Sequence, residues 1–253
     1  MYDTRSSFFS NIPPVVKNLL IINTLIFLLM ALMPAADHWF NRHLALYYFT
    51  SPGFEPYQLL TYMFLHGNFM HLFFNMFALF MFGRTIEMSM GSARFLFYYL
   101  TCGICAALVQ MGVFAMYIHH IEGLLQLPPD ALEQIINDGF VHLQNHQNYL
   151  DPNVGSLNAF VNMPMVGASG AIYGILLAFG FLFPNVGIYL FFIPVPIKAK
   201  WLVLGYFVIE LIYGITGSAD GVAHFAHLGG MIFGFLLLWY WKRKGVFNNG
   251  WFF

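Results

Sequence analysis

Three short stretches of this chain put reactive polar side chains where the surrounding sequence is almost entirely apolar. They are "MVGASGAIYG" with Ser169, "GVAHFAHLGG" with His224 and His227, and "TYMFLHGNFMHLFFNMFALFMFGRTIE" with His66, His71 and Asn75. A serine and a histidine within hydrogen-bond reach supply a nucleophile and its general base, the minimum parts of an acyl-transfer site. Imidazole and amide N–H groups are suitable donors to an oxyanion in a dry setting. Two plainer readings stand beside this one. Ser169 alone is also what an N-cap looks like at the start of a short helix. The histidines alone, among ten in the chain, raise a metal site or a transporter. Spacings of three (His224, His227) and five (His66, His71) come with no HExxH and no paired acidic ligands, which argues against metal, including an intramembrane metalloprotease. His119, His120, His142 and His146 read as solvated loop residues.

The elements that must position these groups are membrane spans. The 253 residues are 59% hydrophobic, 19% aromatic and 8% charged, against roughly 25% charged in an ordinary soluble domain. Six stretches are apolar enough to span: about Val15–Met33, Leu72–Ile86 with its upstream flank, Phe95–Ile118, Val166–Phe183, Trp201–Ile215 and Val222–Trp241. The first, followed by "MPAAD", resembles a signal peptide, but five further spans favour a retained anchor. The predicted fold class is therefore all-α, a polytopic bundle of six transmembrane helices.

Six spans put both termini on one side. That side collects Arg5, Lys17, Arg84, Arg94, Lys198, Lys200, Lys242, Arg243 and Lys244 and leaves Arg42 opposite, so both termini are predicted to be cytoplasmic. Residues 1–14 then form a cytoplasmic segment, 15–241 the membrane domain and 242–253 a cytoplasmic tail. The connection 119–163, between the third and fourth helices, has no Lys or Arg but holds Glu122, Asp130, Glu133, Asp138 and Asp151. It is expected to be an external acidic insertion, either mobile or partly helical, as "PPDALEQIIND" suggests. The net charge of -1 points to no nucleic-acid partner. Cys102 and Cys105 lie in an apolar run and read as small packing residues.

From Ser169 to Phe183 there are 15 residues, a helix only about 22 Å long at 1.5 Å per residue, against a hydrocarbon core of about 30 Å. Ser169 is thus expected below the membrane surface, where the unpaired N–H groups of a helix start must face protein or a wet cavity. Those groups and the positive end of the helix suit a developing anion. Gly170 and Gly174 form one GxxxG and Gly230 and Gly234 another, so the fourth and sixth helices are expected to meet closely. Tyr173 falls one turn from Ser169 on the same stripe. Glu210, within the fifth span, is expected to make a structural hydrogen bond or to take part in gating. The region around Trp39 and Arg42 reads as an interfacial first loop.

"GASGAIYG", "AHLGG" and "TYMFLHGNFMHLFFN", in this order and on these spans, resemble the rhomboid family of intramembrane serine proteases, over about residues 57–235. The resemblance implies Ser169 as nucleophile and His227 as base, with no carboxylate partner. It implies an oxyanion site made by His71, Asn75 and the backbone N–H of Ser169. Tyr173 would pack on the His227 ring, His66 would stabilise its loop, and Gly167 would let the chain turn before the serine. Glu87 and Gly91 resemble the family's turn at the inner end of the second helix. A wet funnel lined by His71, Asn75, His224 and His227 would admit water. Tyr57 and Gln58 stand where the family commonly has Trp-Arg, which puts the anchoring of the first loop in question.

The activity implied is hydrolysis of peptide bonds in or near transmembrane segments of other membrane proteins, with substrate entering between the second and fifth helices. No metal and no other cofactor is implied, and the partners are substrate helices and the bilayer. A rhomboid-like pseudoprotease that binds helices without cutting them is the alternative. A bacterial inner membrane, with the site facing the periplasm, is the simplest expected location.

Overall fold

The computed structural model describes residues 12–189, 195–216 and 222–246. Eleven α-helices dominate them: α1 (Pro14–Leu32), α2 (Pro34–Leu44), α3 (Gln58–Thr61), α4 (Phe69–Ala78), α5 (Arg84–Met90), α6 (Ser92–Leu125), α7 (Pro129–Gln144), α8 (Pro152–Asn162), α9 (Ser169–Leu182), α10 (Ala199–Thr216) and α11 (His224–Arg243). A π-helical turn, Leu79–Gly83, joins α4 to α5, so Phe69–Met90 runs as one span. The only strands among the described residues are a two-residue antiparallel pair, Gly187–Ile188 with Ile197–Lys198.

The six expected spans correspond to α1, α4–α5, α6, α9, α10 and α11. Four of these, Pro14–Leu32, Phe69–Met90, Ser92–Leu125 and Ala199–Thr216, are each long and apolar enough to cross a membrane, and α9 is shorter. Pro14 opens α1 at a position where its missing N–H costs nothing. Glu87 closes the same end of the bundle: its Oε1 accepts the Val15 N–H at 3.0 Å and its Oε2 the Val16 N–H at 2.7 Å. A buried carboxylate thereby satisfies donors left over at a helix start. Gly91, at φ +83°, makes the turn from α5 into α6.

At the centre α6, α9 and α11 pack with little between them. A Cβ on Gly230 would lie 1.9 Å from the Gly170 carbonyl oxygen, and one on Gly174 would lie 2.6 Å from Cys102 Sγ. The Tyr98 hydroxyl donates to the Gly174 carbonyl at 2.7 Å. The helices α9 and α11 meet closely as expected, at Gly170, Gly174 and Gly230, while Gly234 faces Tyr98 and Cys102 of α6, and Cys102 is a buried packing residue.

The connection after the third span is partly helical, one of its two expected forms. Helix α6 does not stop near Ile118 but runs on to Leu125, and the insertion beyond it folds into α7 and α8. Asn162 on α8 donates to the Ile136 carbonyl at 2.8 Å and accepts from the Ser51 hydroxyl at 2.6 Å. Arg42 lies over the Phe140 ring, 4.5 Å from its centroid, and Tyr47 meets the same ring edge-on. The insertion is therefore ordered against the first loop. That loop is itself held from within: buried Gln58 donates to the Gly53 carbonyl at 2.9 Å and accepts from the Tyr47 N–H at 3.3 Å. Gln58 thus ties this loop together from within.

Candidate active site

Ser169 is the first residue of α9, preceded by Gly167 at φ +130°. Only glycine adopts that conformation without strain. A second reason is space: a Cβ at Gly167 would fall 2.7 Å from His71 Nε2 and 3.7 Å from Ser169 Oγ. Gly167 is therefore the gap between the serine and the His71 ring. Its N–H donates to the Tyr62 carbonyl at 3.0 Å, while Leu46 and Met165 exchange backbone bonds just upstream. These ties fix the loop that delivers Ser169.

His227 sits in the first turn of α11. That helix start is pinned by Gln110 on α6, whose side-chain oxygen accepts the Ala226 N–H at 3.1 Å. With α9 and α11 in near contact at Gly170 and Gly230, His227 Nε2 lies 2.8 Å from Ser169 Oγ. Tyr173 stacks on the His227 ring, centroids 4.2 Å apart and planes 7° from parallel. The expected pair and its supporting ring are brought together.

The acid is where the sequence reading departs from the structure. No carboxylate was expected beside His227, yet Glu210 Oε2 lies 3.0 Å from its Nδ1. The approach is oblique, short of a well-aligned hydrogen bond. The same Oε2 lies 2.6 Å from His224 Nδ1, and Oε1 accepts the Tyr173 hydroxyl in a short hydrogen bond. Glu210, His224 and His227 are all buried. Their ligand atoms fall within 4.8 Å of one another and could clasp a metal ion. The separations to Oε2 are those of hydrogen-bonded partners, however, whereas a tetrahedral zinc would hold its donors about 3.3 Å apart. The cluster is accordingly read as a hydrogen-bonded network. His224 Nδ1 is thus turned to Glu210.

On the other flank, the Asn68 side chain caps α4 by accepting the His71 N–H at 2.8 Å, and so fixes the turn that carries His71. Asn75 is buried and donates to the His71 carbonyl at 3.0 Å, which leaves its second N–H for another acceptor. The Ser169 N–H, at the first position of α9, has no acceptor within its helix. His66 is buried edge-on to His71, ring centroids 5.0 Å apart, and neither of its ring nitrogens has a hydrogen-bond partner among the described residues. It lies in the turn before α4, and burial, helped by the neighbouring His71, drops its pKa to about 3. An open cavity of about 350 Å³ borders this turn and is lined by α1 and α2 residues with His66, Gly67 and Asn68, not by Ser169 or His227.

A sequence model described as the Rhomboid domain matches residues 53–121 and 135–244. The chain belongs to the rhomboid family. It is 29% identical over 180 residues to "Rhomboid protein 1, mitochondrial" of Saccharomyces cerevisiae, covering 70% of this chain and 39% of that protein. It is 28% identical over 229 residues to "Rhomboid-like protein 11, chloroplastic" of Arabidopsis thaliana, covering 81% and 59%. It is 31% identical over 192 residues to "RHOMBOID-like protein 12, mitochondrial" of the same plant, covering 75% and 47%. The rhomboid chain thus spans between 39% and 59% of the length of these relatives. Their names place them in mitochondria or chloroplasts, so the comparisons lend no support to the bacterial inner membrane expected from sequence. This rhomboid is an integral membrane protein of the all-α, polytopic class.

In the sequence Gln110 carries no expectation, and Glu210 only that of a structural hydrogen bond or a part in gating. Gln110 left one signal, a lone amide in an otherwise apolar span. Glu210 was noticed as a costly intramembrane charge, but its partners on two other helices were not.

Proposed function

We propose that the protein is an intramembrane serine endopeptidase that hydrolyses peptide bonds in or near transmembrane segments of other membrane proteins. The observation that carries this reading is the 2.8 Å approach of His227 Nε2 to Ser169 Oγ at a helix start inside the bundle. Nε2 takes the Ser169 hydroxyl proton as Oγ attacks the scissile carbonyl carbon. The tetrahedral oxyanion receives the Ser169 N–H, His71 and the free N–H of Asn75. His227 then passes its proton to the leaving amine, and water, deprotonated by the same Nε2, releases the acyl group. A substrate helix must unwind locally first, because its carbonyls are otherwise occupied by its own hydrogen bonds. In this reading both termini are cytoplasmic and the 119–163 insertion lies on the face from which the external product departs.

Purified protein is incubated with a transmembrane peptide substrate and, separately, with a fluorophosphonate. Wild type cleaves and is labelled; Ser169→Ala and His227→Ala do neither while keeping the fold. A chelator leaves the rate unchanged. A Ser169→Ala protein that still cleaves removes the serine mechanism. A wild type that binds the peptide without cutting it makes this a pseudoprotease.

A further inference from the structure

We infer that Glu210 is the positioning carboxylate of the site, turning a serine–histidine pair into a three-membered relay whose acid comes from a separate helix. This inference rests on the proposed protease reading.

Among the residues of α10 that are buried, Ala199, Val203, Glu210 and Gly214, only Glu210 is polar. Its two oxygens reach α9 through the Tyr173 hydroxyl and α11 through His224 and His227. A carboxylate inside the membrane domain is tolerated when its lone pairs are taken by donors. Tyr173 and His224 supply two such partners here, and His227 Nδ1 stands 3.0 Å from Oε2. With Nδ1 turned to a carboxylate, the neutral His227 carries its proton there and leaves the Nε2 lone pair facing Ser169 Oγ, the tautomer a general base needs.

When Oγ attacks, its proton moves to Nε2. The imidazolium formed then carries a proton on each nitrogen, with Glu210 beside Nδ1–H to hold the charge. The carboxylate itself stays ionised throughout. Tyr173 has two tasks in this arrangement: its ring stacks on His227 and its hydroxyl fixes the other oxygen of Glu210, so acid and base are held by one side chain.

The oblique approach and the sharing of Oε2 with His224 make the effect smaller than in a fully aligned triad, where neutralising the acid costs about 10⁴-fold. The competing role is a tie that holds α10 to the bundle. Glu210→Gln separates the two, since it keeps the size and one acceptor oxygen, turns the other oxygen into an NH2 donor, and loses the charge. In purified full-length protein, fluorophosphonate labelling rate, kcat, KM and Tm are measured for wild type, Ser169→Ala, Glu210→Gln and Glu210→Asp.

Glu210→Gln is expected to lower labelling rate and kcat by roughly tenfold to a hundredfold, with KM within about twofold and Tm little changed. Glu210→Asp, which keeps a retracted carboxylate, falls between it and wild type. Glu210→Gln labelled at the wild-type rate, or a loss confined to KM or Tm, would make Glu210 a structural tie and overturn the inference. If Glu210→Gln does not fold, Glu210→Asp decides: a wild-type labelling rate overturns the inference and a reduced one supports it. A wild type that, like Ser169→Ala, neither labels nor cleaves defeats the protease reading instead, and is told apart by that control.

Discussion

The sharpest mechanical test of the site lies one turn away from it, at Gly230. A methyl placed there would stand 1.9 Å from the Gly170 carbonyl oxygen, a backbone atom that cannot swing aside. Ordinary contact begins at 3.4 Å, so in Gly230→Ala the two helices must part locally by about 1.5 Å. Gly170 follows Ser169 directly, and Gly230 lies one turn after His227 on the same face, so the separation acts on the reacting pair itself. The 2.8 Å contact between Nε2 and Oγ would open to about 4 Å, beyond hydrogen-bond reach. A misplacement of about 1 Å can cost about a hundredfold in rate, and overpacking costs about 1–3 kcal/mol of stability. Gly230→Ala is therefore expected to label with fluorophosphonate about a hundredfold more slowly than wild type and to melt several degrees lower. Gly112→Ala and Gly205→Ala are the controls, since a Cβ at either site meets open space; each should gain about 0.5–1 kcal/mol and label normally. Wild-type labelling by a folded Gly230→Ala would show that this glycine contact does not set the serine–histidine distance.

Other changes separate chemistry from framework. Asn75→Ala should lower turnover by roughly tenfold to a thousandfold if its free N–H serves the oxyanion; a change in Tm alone would assign it to packing. Glu87 accepts three hydrogen bonds, from the Val15 and Val16 N–H groups and the Ser92 hydroxyl; Glu87→Gln removes the charge and leaves at least one of these donors facing an NH2, and should cost about 1–3 kcal/mol in thermal unfolding while the folded protein labels at the wild-type rate. His66, with its pKa lowered to about 3, stays neutral in the fold where the unfolded chain takes up a proton below about pH 6.5. Its contribution to stability is complete above that pH and is lost as pH falls toward 3, reaching about 2 kcal/mol by pH 5. The Tm of His66→Phe should fall less than that of wild type between pH 7 and pH 5, and identical slopes would refute the assignment.

The parts of this site that were readable in the sequence are those that depend on arithmetic along one helix. The length of the fourth span predicted a short helix opening at Ser169, and the paired glycines predicted the α9–α11 contact, because both follow from rise and periodicity within a single element. The turn at Gly167 was implied by the family resemblance, whereas its close approach to the His71 ring was not. What could not be read was rotation. In a soluble protein the apolar stripe tells which face of a helix points inward, but in a bilayer the outward face is apolar too, so the stripe carries little of that information. Helix α10 shows this: its exposed Leu204, Val208, Ile209 and Ile212 are no less apolar than its buried Ala199, Val203 and Gly214. Glu210 alone betrays the inward face. A buried polar group in such a helix states that a partner exists without saying which helix supplies it. That choice is made by the crossings of α9, α10 and α11, which bring Tyr173, 37 positions away, and His224, 14 positions away, to one carboxylate. Gln110 obeys the same logic at a separation of 116 positions from Ala226. For this bundle, then, each polar residue within a span is a demand for a donor or acceptor on another helix: Glu210 meets it through Tyr173 and His224, and His227 through Ser169.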